Sequence, residues 1–230
     1  MRTRQDFHDA RGVLLVVREP PPAAPPAKGQ PATVPSNPKE GVEILLAVSH
    51  DGRVTALHGH VDLGTGLRTA LAQIVAEELD IEVADVQLLM GSTAAAPNQG
   101  PTIASSSLQI HAVPLRAAAA QARAWLKLHT LKPDDHVELT LDLATAVKDP
   151  ADYRVVGQPV QRVDLPAKVT GDLVFVHDMR VPGMLHGRVI RPPYAGADHG
   201  DFIGNTLLAV DEASVAHVPG LRGVVVIRDF

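Results

Sequence analysis

Phe, Trp and Tyr together make up only 3% of this chain, so any interior it builds must be filled by Val, Leu, Ile and Ala. Its 45% hydrophobic and 20% charged content is that of an ordinary globular protein. At 230 residues it has room for one large domain or two small ones. A formal charge of −5 and a pI near 6.1 argue against nucleic acid or anionic lipid as the main partner. No apolar run approaches the roughly 18–20 residues of a transmembrane helix. Cysteine is absent, which removes disulfides, thiolate nucleophiles, Cys-ligated zinc and iron–sulfur clusters together. Metal–sulfur wiring, if the chain takes part in redox chemistry, belongs to another subunit.

Composition shifts divide the chain. Residues 1–40 read as a tail or linker, 41–132 as a first compact unit, 133–153 as a connection and 154–230 as a second unit. Near the start, Val13-Leu14-Leu15-Val16-Val17 is an apolar patch of five residues. That is shorter than the roughly 7–15 residues of a secretory core, and Arg2-Thr3-Arg4 is not a twin arginine. A cytoplasmic location is favoured and a periplasmic one stays open. Pro20 to Pro38 is rich in Pro and Ala, a composition that cannot offset its own ordering entropy and suits an extended spacer.

The first unit carries clear local signals. Val42 to Val48 reads as a strand, His50-Asp51-Gly52 as a hairpin turn, and Arg53 to His58 as the returning strand. Leu67, Leu71, Ile74, Val75 and Leu79 recur at helical spacing, so Leu67–Leu79 is predicted as a helix. Glu77 and Glu78 fall outside that stripe and are expected in solvent. Val86 to Met90 reads as a further strand. Leu108 to about Lys127 is an Ala-rich helix that Pro114 either kinks or restarts.

Two loops of small residues lead into these helices: Gly64-Thr65-Gly66, and Thr102-Ile103-Ala104-Ser105-Ser106-Ser107. Strand-to-helix turns of this kind expose amide N–H groups where the helix dipole favours an anion. Two in one unit suggest a phosphate-bearing ligand held at two points. The plainer alternative is that the glycines make the turn and the serines cap the helix. A nicotinamide-binding fingerprint is not met, because Thr69 stands where its third glycine belongs and the second strand ends Met90-Gly91-Ser92. No Gly-Lys-Ser/Thr occurs, so there is no P-loop. His58 and His60 share one side of a strand, with Asp62 at the same parity. A surface or hydrogen-bonded pair is preferred to a metal site.

Val61-Asp62-Leu63-Gly64-Thr65-Gly66-Leu67-Arg68-Thr69, then Ala72-Gln73-Ile74 and Ala76-Glu77-Glu78-Leu79, resemble the cofactor-binding segment of the molybdenum hydroxylases, the xanthine dehydrogenase and aldehyde oxidase family. Pro97-Asn98-Gln99-Gly100 and Pro101-Thr102-Ile103-Ala104-Ser105-Ser106-Ser107 resemble that family's Pro-Thr-x-Ala-Ser loop. Pro166 to Gly171, Asp178 to Gly187 and Arg191-Pro192-Pro193 look like the opening of its α/β hammerhead domain. The cofactor loops precede the hammerhead here, the order of the permuted isoquinoline 1-oxidoreductase and nicotinate dehydrogenase large subunits. The implied fold is α+β, a cofactor-binding piece followed by part of a hammerhead.

The resemblance implies hydroxylation of N-heterocycles or aldehydes with oxygen taken from water. It implies molybdopterin, in its cytosine dinucleotide form, against Gly64, Thr65, Gly66 and Thr102 to Ser107, with no metal ligand from the chain. It implies a Cys-rich [2Fe–2S] small subunit as partner. Two departures stand out. Thr65 replaces the Gln often found between the two glycines, and the Gly-Glu segment that supplies the family's glutamate base does not occur. The chain is therefore expected to be the front part of a large subunit, truncated or split, without a catalytic residue of its own, and inactive until the remaining molybdenum domain joins it.

In the second unit His136 to Leu141, Leu173 to Val176, Leu185 to Ile190, Leu207 to Val210 and Val224 to Ile227 read as short strands, and Asp211 to Ala216 as a short helix. No convergent acid, base or nucleophile pattern appears there, which suits a scaffold. Two other readings remain: a non-catalytic binding or assembly module on the same folds, and an unrelated phosphate-binding α/β protein.

Overall fold

The hairpin signal at His50-Asp51-Gly52 is realised as a tight turn, in which Ser49 N–H donates to the Arg53 carbonyl at 2.8 Å and Gly52 adopts φ +86°. The computed structural model describes residues 3–20, 41–190 and 209–226. The chain divides into two units, Met1–Val174 and Phe175–Phe230. The first holds strands β1 (Val13–Arg18), β2 (Glu43–Ser49), β3 (Val54–His58), β4 (Val86–Met90) and β5 (His136–Thr140). They form one mixed sheet in the order β4-β3-β2-β1-β5. The pairs β1–β2 and β2–β3 are antiparallel, while β1–β5 and β3–β4 are parallel.

Strand β1 corrects the reading of Val13–Val17 as a patch in a tail. Leu14 and Val16 pack into the core on one face, and Leu15 and Val17 into a second cluster on the other. A strand buried on both faces reads as a continuous apolar run rather than an alternating one. The short helix α1 (Arg4–His8), capped by Thr3, sends Phe7 into the second cluster. Residues 21–40, the bulk of the Pro- and Ala-rich segment, lie outside the described residues.

On the first face lie α2 (Leu67–Leu79) and the helical pair α3 (Ser106–Gln109) and α4 (Ala112–Leu128). The predicted boundaries of α2 are met. The predicted helix from Leu108 breaks at Ile110-His111 and restarts, with Pro114 in the first turn of α4, where its missing N–H costs nothing. Ala118, Ala119, Ala120 and Ala122 are fully buried, so small side chains bring α4 close to the sheet and α2 in a core almost without aromatics.

Glu77 and Glu78 are not in solvent, as their place outside the apolar stripe of α2 suggested. They are 2% and 0% exposed. Residues 146–164 run back along α2 and supply their partners. Glu78 receives Arg116 Nε at 2.8 Å, Arg123 Nη1 at 2.6 Å and the Lys148 N–H. Glu77 Oε2 accepts the N–H groups of Arg154, Val155 and Val156 at 2.9, 2.6 and 2.9 Å, and Oε1 accepts Lys148 Nζ at 3.3 Å. Burial alone would raise the Glu77 carboxyl; the three amides and Lys148 hold it below the usual range. Gln73 donates to the Val155 and Gln158 carbonyls, and Thr69 Oγ1 accepts the Val163 N–H at 3.0 Å. The strap ends in α5 (Leu165–Thr170).

The predicted strand at His136 exists, but as β5 it completes the sheet of the first unit. The other strands expected further on do not form. Leu173 to Val176 and Leu185 to Ile190 have no strand structure, and no ladder partner is present for them among the described residues. An apolar run becomes a strand only beside a neighbour that takes its N–H and C=O groups. Arg191-Pro192-Pro193 and parts of the strands expected at 207–210 and 224–227 lie outside the described residues; the parts at 209–210 and 224–226 are not strands. The helix expected at Asp211 is a 3-10 turn, Glu212–Val215.

Candidate functional site

The first small-residue loop leaves the end of β3 and enters α2, and its geometry is set by Asp62. The Asp62 carboxylate accepts N–H groups from Gly64 at 2.9 Å, Gly66 at 3.2 Å and Arg68 at 3.0 Å. Burial would raise this carboxyl, yet the three amides bring it below the ordinary value. Asp62 thus performs the capping that Gly66, at φ +81°, cannot supply from a side chain. The donors that the sequence offered to an outside anion at Gly64 and Gly66 are taken from within. Arg162 of the strap closes over the same turn, donating Nη1 to the Gly64 carbonyl at 2.9 Å. Thr65 and Gly64 remain exposed at the tip.

The second loop carries backbone strain. Ala104 and Ser105 sit at φ +53° and +54°, two successive non-glycine residues in the left-handed region. Each such residue costs roughly 1–2 kcal/mol and persists only where its surroundings over-determine it. Those surroundings are visible. Thr102 Oγ1 accepts the Val61 N–H at 3.0 Å, which ties the two loops together. Ser106 Oγ donates to the Ile103 carbonyl at 2.8 Å. Ser107 Oγ lies 2.7 Å from His60 Nδ1, buried. Of the three serines expected to offer hydroxyls, Ser106 and Ser107 are turned to internal bonds, while Ile103, Ala104 and Ser105 form an exposed apex.

His58 and His60 are hydrogen-bonded, as preferred from the sequence, and both are fully buried rather than at the surface. His58 Nδ1 accepts the His60 N–H at 3.2 Å. His60 Nε2 lies 3.0 Å from the Gln99 carbonyl. A third ring, His111 before α4, packs against His60 with centroids 4.5 Å apart. Burial, and then repulsion from His60 and His111, lowers His58 to about 4. Burial, and then His60 and Arg18, lowers His111 to about 4. His58 Nε2, Gln99 Nε2 and Ser92 Oγ are buried without a hydrogen-bond partner. Among the described residues no group of three His, Asp or Glu is arranged to hold a metal ion. No helix of the described residues is long and apolar enough to cross a membrane.

Sequence reasoning missed Asp62, Gln99, His111 and Arg162. Asp62 alone left a local signal, an Asx residue just ahead of a glycine turn into a helix. The others act across 40 to 100 residues of chain.

This fold, with its paired loops at the mouth of α2 and α3, is that of a molybdopterin cofactor-binding domain; the family model matches residues 22–157, and the chain belongs to this family of oxidoreductases. Against one of the two nicotinate dehydrogenase polypeptides of Pseudomonas putida it is 52% identical, over 95% of its own length and 21% of that protein's. Against the beta chain of isoquinoline 1-oxidoreductase from Brevundimonas diminuta it is 35% identical, over 35% of the chain and 9% of the relative. A component of a probable xanthine dehydrogenase of Bacillus subtilis is 37% identical over 30% of the chain and 9% of the relative. The chain thus spans about a fifth or less of the curated relatives it matches.

The two loops fit a molybdopterin to different degrees. The apex at Ile103, Ala104 and Ser105 presents open backbone and small side chains, which suits a flat group approaching the main chain. The Gly64 and Gly66 amides, spent on Asp62, do not suit a phosphate, and from that turn Thr65 is what remains.

Proposed function

We propose that this chain is the molybdopterin-binding front part of an oxidoreductase large subunit that hydroxylates an electron-poor N-heteroaromatic ring, with oxygen from water. The 52% identity to the nicotinate dehydrogenase polypeptide across nearly the whole chain carries this reading and favours a nicotinate-like substrate over an aldehyde. The cofactor, taken in its cytosine dinucleotide form, supplies the oxygen-transfer and two-electron chemistry. The chain's own residues bind and orient: Thr102, Ile103, Ala104, Ser105, Ser106 and Ser107 form the receiving loop, and Gly64, Thr65 and Gly66 form its neighbour, stiffened by Asp62.

No group in the described site is placed to act as a base toward substrate. The buried glutamates are already engaged with amides and cations. The chain alone is therefore inactive. The remaining molybdenum domain and a Cys-rich [2Fe–2S] protein complete the enzyme. The test is co-expression of the chain with those two partners, followed by molybdenum and pterin analysis and nicotinate-dependent dye reduction. Pterin in the complex, activity in the complex and none in the isolated chain is the expected pattern. Turnover by the chain alone, or a pterin-free complex, overturns the reading.

A further inference from the structure

We propose that His60 is the positioning residue of the second loop, its imidazole tying together the two ends of residues 99–107 and holding the Ala104–Ser105 apex in the form that receives the pterin. This rests on the cofactor reading above. Gln99 opens the segment and Ser107 closes it, and one ring reaches both: Nε2 to the Gln99 carbonyl at 3.0 Å, Nδ1 to Ser107 Oγ at 2.7 Å. A carbonyl can only accept, so Nε2 carries hydrogen and Nδ1 is left to receive the serine hydroxyl. Imidazole suits the task because it is rigid and places a donor and an acceptor on opposite edges.

The ring is itself held. His111 packs on it edge to face at 4.5 Å, and the His60 N–H is fixed by His58 Nδ1. The backbone beside it is pressed against the same segment. A Cβ on Gly59 would lie 3.0 Å from the Gln99 amide nitrogen, and the Gly59 N–H donates to Gln99 Oε1 at 2.7 Å. With the Val61–Thr102 bond, every residue from Gly59 to Val61 grips the loop. The left-handed apex lies midway between the two points that His60 joins. That placement explains how two strained residues stay in one conformation at an exposed site.

The test begins with Ser107→Ala, which removes one hydroxyl and leaves the core intact, with Ser107→Thr as the conservative variant and His60→Gln as a partial mimic. Amide exchange is followed in the full chain, alongside pterin content after co-expression with the remaining domain. Ser107→Ala should speed exchange in residues 102–108 by about tenfold, the loss of one buried bond, and leave the sheet amides unchanged. Ser107→Thr should restore protection, and His60→Gln should fall between. Pterin content should drop in the order of loop exchange. Unchanged loop exchange in Ser107→Ala, or exchange that rises equally in the sheet, overturns the staple. A loosened loop that loads pterin as fully as the parent chain overturns the link from staple to cofactor. A parent complex that loads none defeats the cofactor reading instead, while exchange still decides the staple.

Discussion

Replacing Glu77 by Ala removes one carboxylate and strips an acceptor from four donors, the N–H groups of Arg154, Val155 and Val156 and the Lys148 ammonium. Each donor left buried without a partner costs about 1–3 kcal/mol. Arg154 is exposed and Val155 and Val156 half-buried, so water rescues part of that loss. A total near 3–4 kcal/mol follows, in the range of other broken buried charge pairs. In a unit of this size each kcal/mol lowers Tm by about 2–4 °C, so the variant should melt about 6–15 °C early. Glu77→Gln keeps the shape and one acceptor but turns an amide toward Lys148, and should lose about 1–2 kcal/mol. The Glu77 carboxyl is held below its usual range, so its contribution is present above about pH 4.5 and fades on acidification. Calorimetry gives the melting temperatures, and limited proteolysis shows whether residues 148–158 come loose. An Ala variant that melts within about 2 °C of the parent, with unchanged cleavage, refutes the argument.

Three further outcomes are expected. His58 and His111 are lowered to about 4 from 6.5, so the unfolded chain takes up protons first as pH falls through that window. Stability should drop there by up to about 3 kcal/mol from His58 alone, and a flat urea-denaturation profile across it would contradict the buried cluster. Ala104→Gly relieves a left-handed residue and should stabilise the fold by about 1 kcal/mol, whereas Ala104→Leu should block pterin uptake at little cost in Tm; a lowered melting temperature for the glycine variant, or full molybdenum content in the leucine variant, would count against the apex. Asp62→Ala should cost about 1–2 kcal/mol by urea unfolding and Asp62→Asn markedly less, while equal losses would mean that shape rather than the acceptor set matters.

What the sequence revealed and what it hid follow from the range of the interactions. The β2–β3 hairpin, α2 and β4 depend on turn chemistry and periodicity within a few residues, and they were legible. Strand β1 was not, because a five-residue apolar run says nothing of partners at residues 43–49 and 136–140. The burial of Glu77 and Glu78 was hidden for the same reason, since their donors include residues 70 to 79 positions further on. Both candidate loops were found as segments. Their internal wiring was not, because the groups that occupy Gly64, Gly66 and Ser107 are Asp62 and His60 rather than a ligand. The second unit shows the reverse failure, where apolar runs such as Leu185 to Ile190 promised strands that have no neighbour to pair with.

The placement of β1 also sets a schedule for synthesis. Its β2 edge is satisfied within about thirty residues, but its β5 edge waits until Thr140 has been made. At about 5–20 residues per second, a ribosome needs on the order of ten seconds to cover that distance. Throughout that interval Val13-Leu14-Leu15-Val16-Val17 offers a bare ladder of β-branched and leucine residues, the kind of segment that seeds aggregation between nascent chains. The fold therefore carries a kinetic dependence on whatever shields its earliest strand, and yield on expression should respond to translation speed and chaperone supply more than to the thermodynamic strength of the finished sheet.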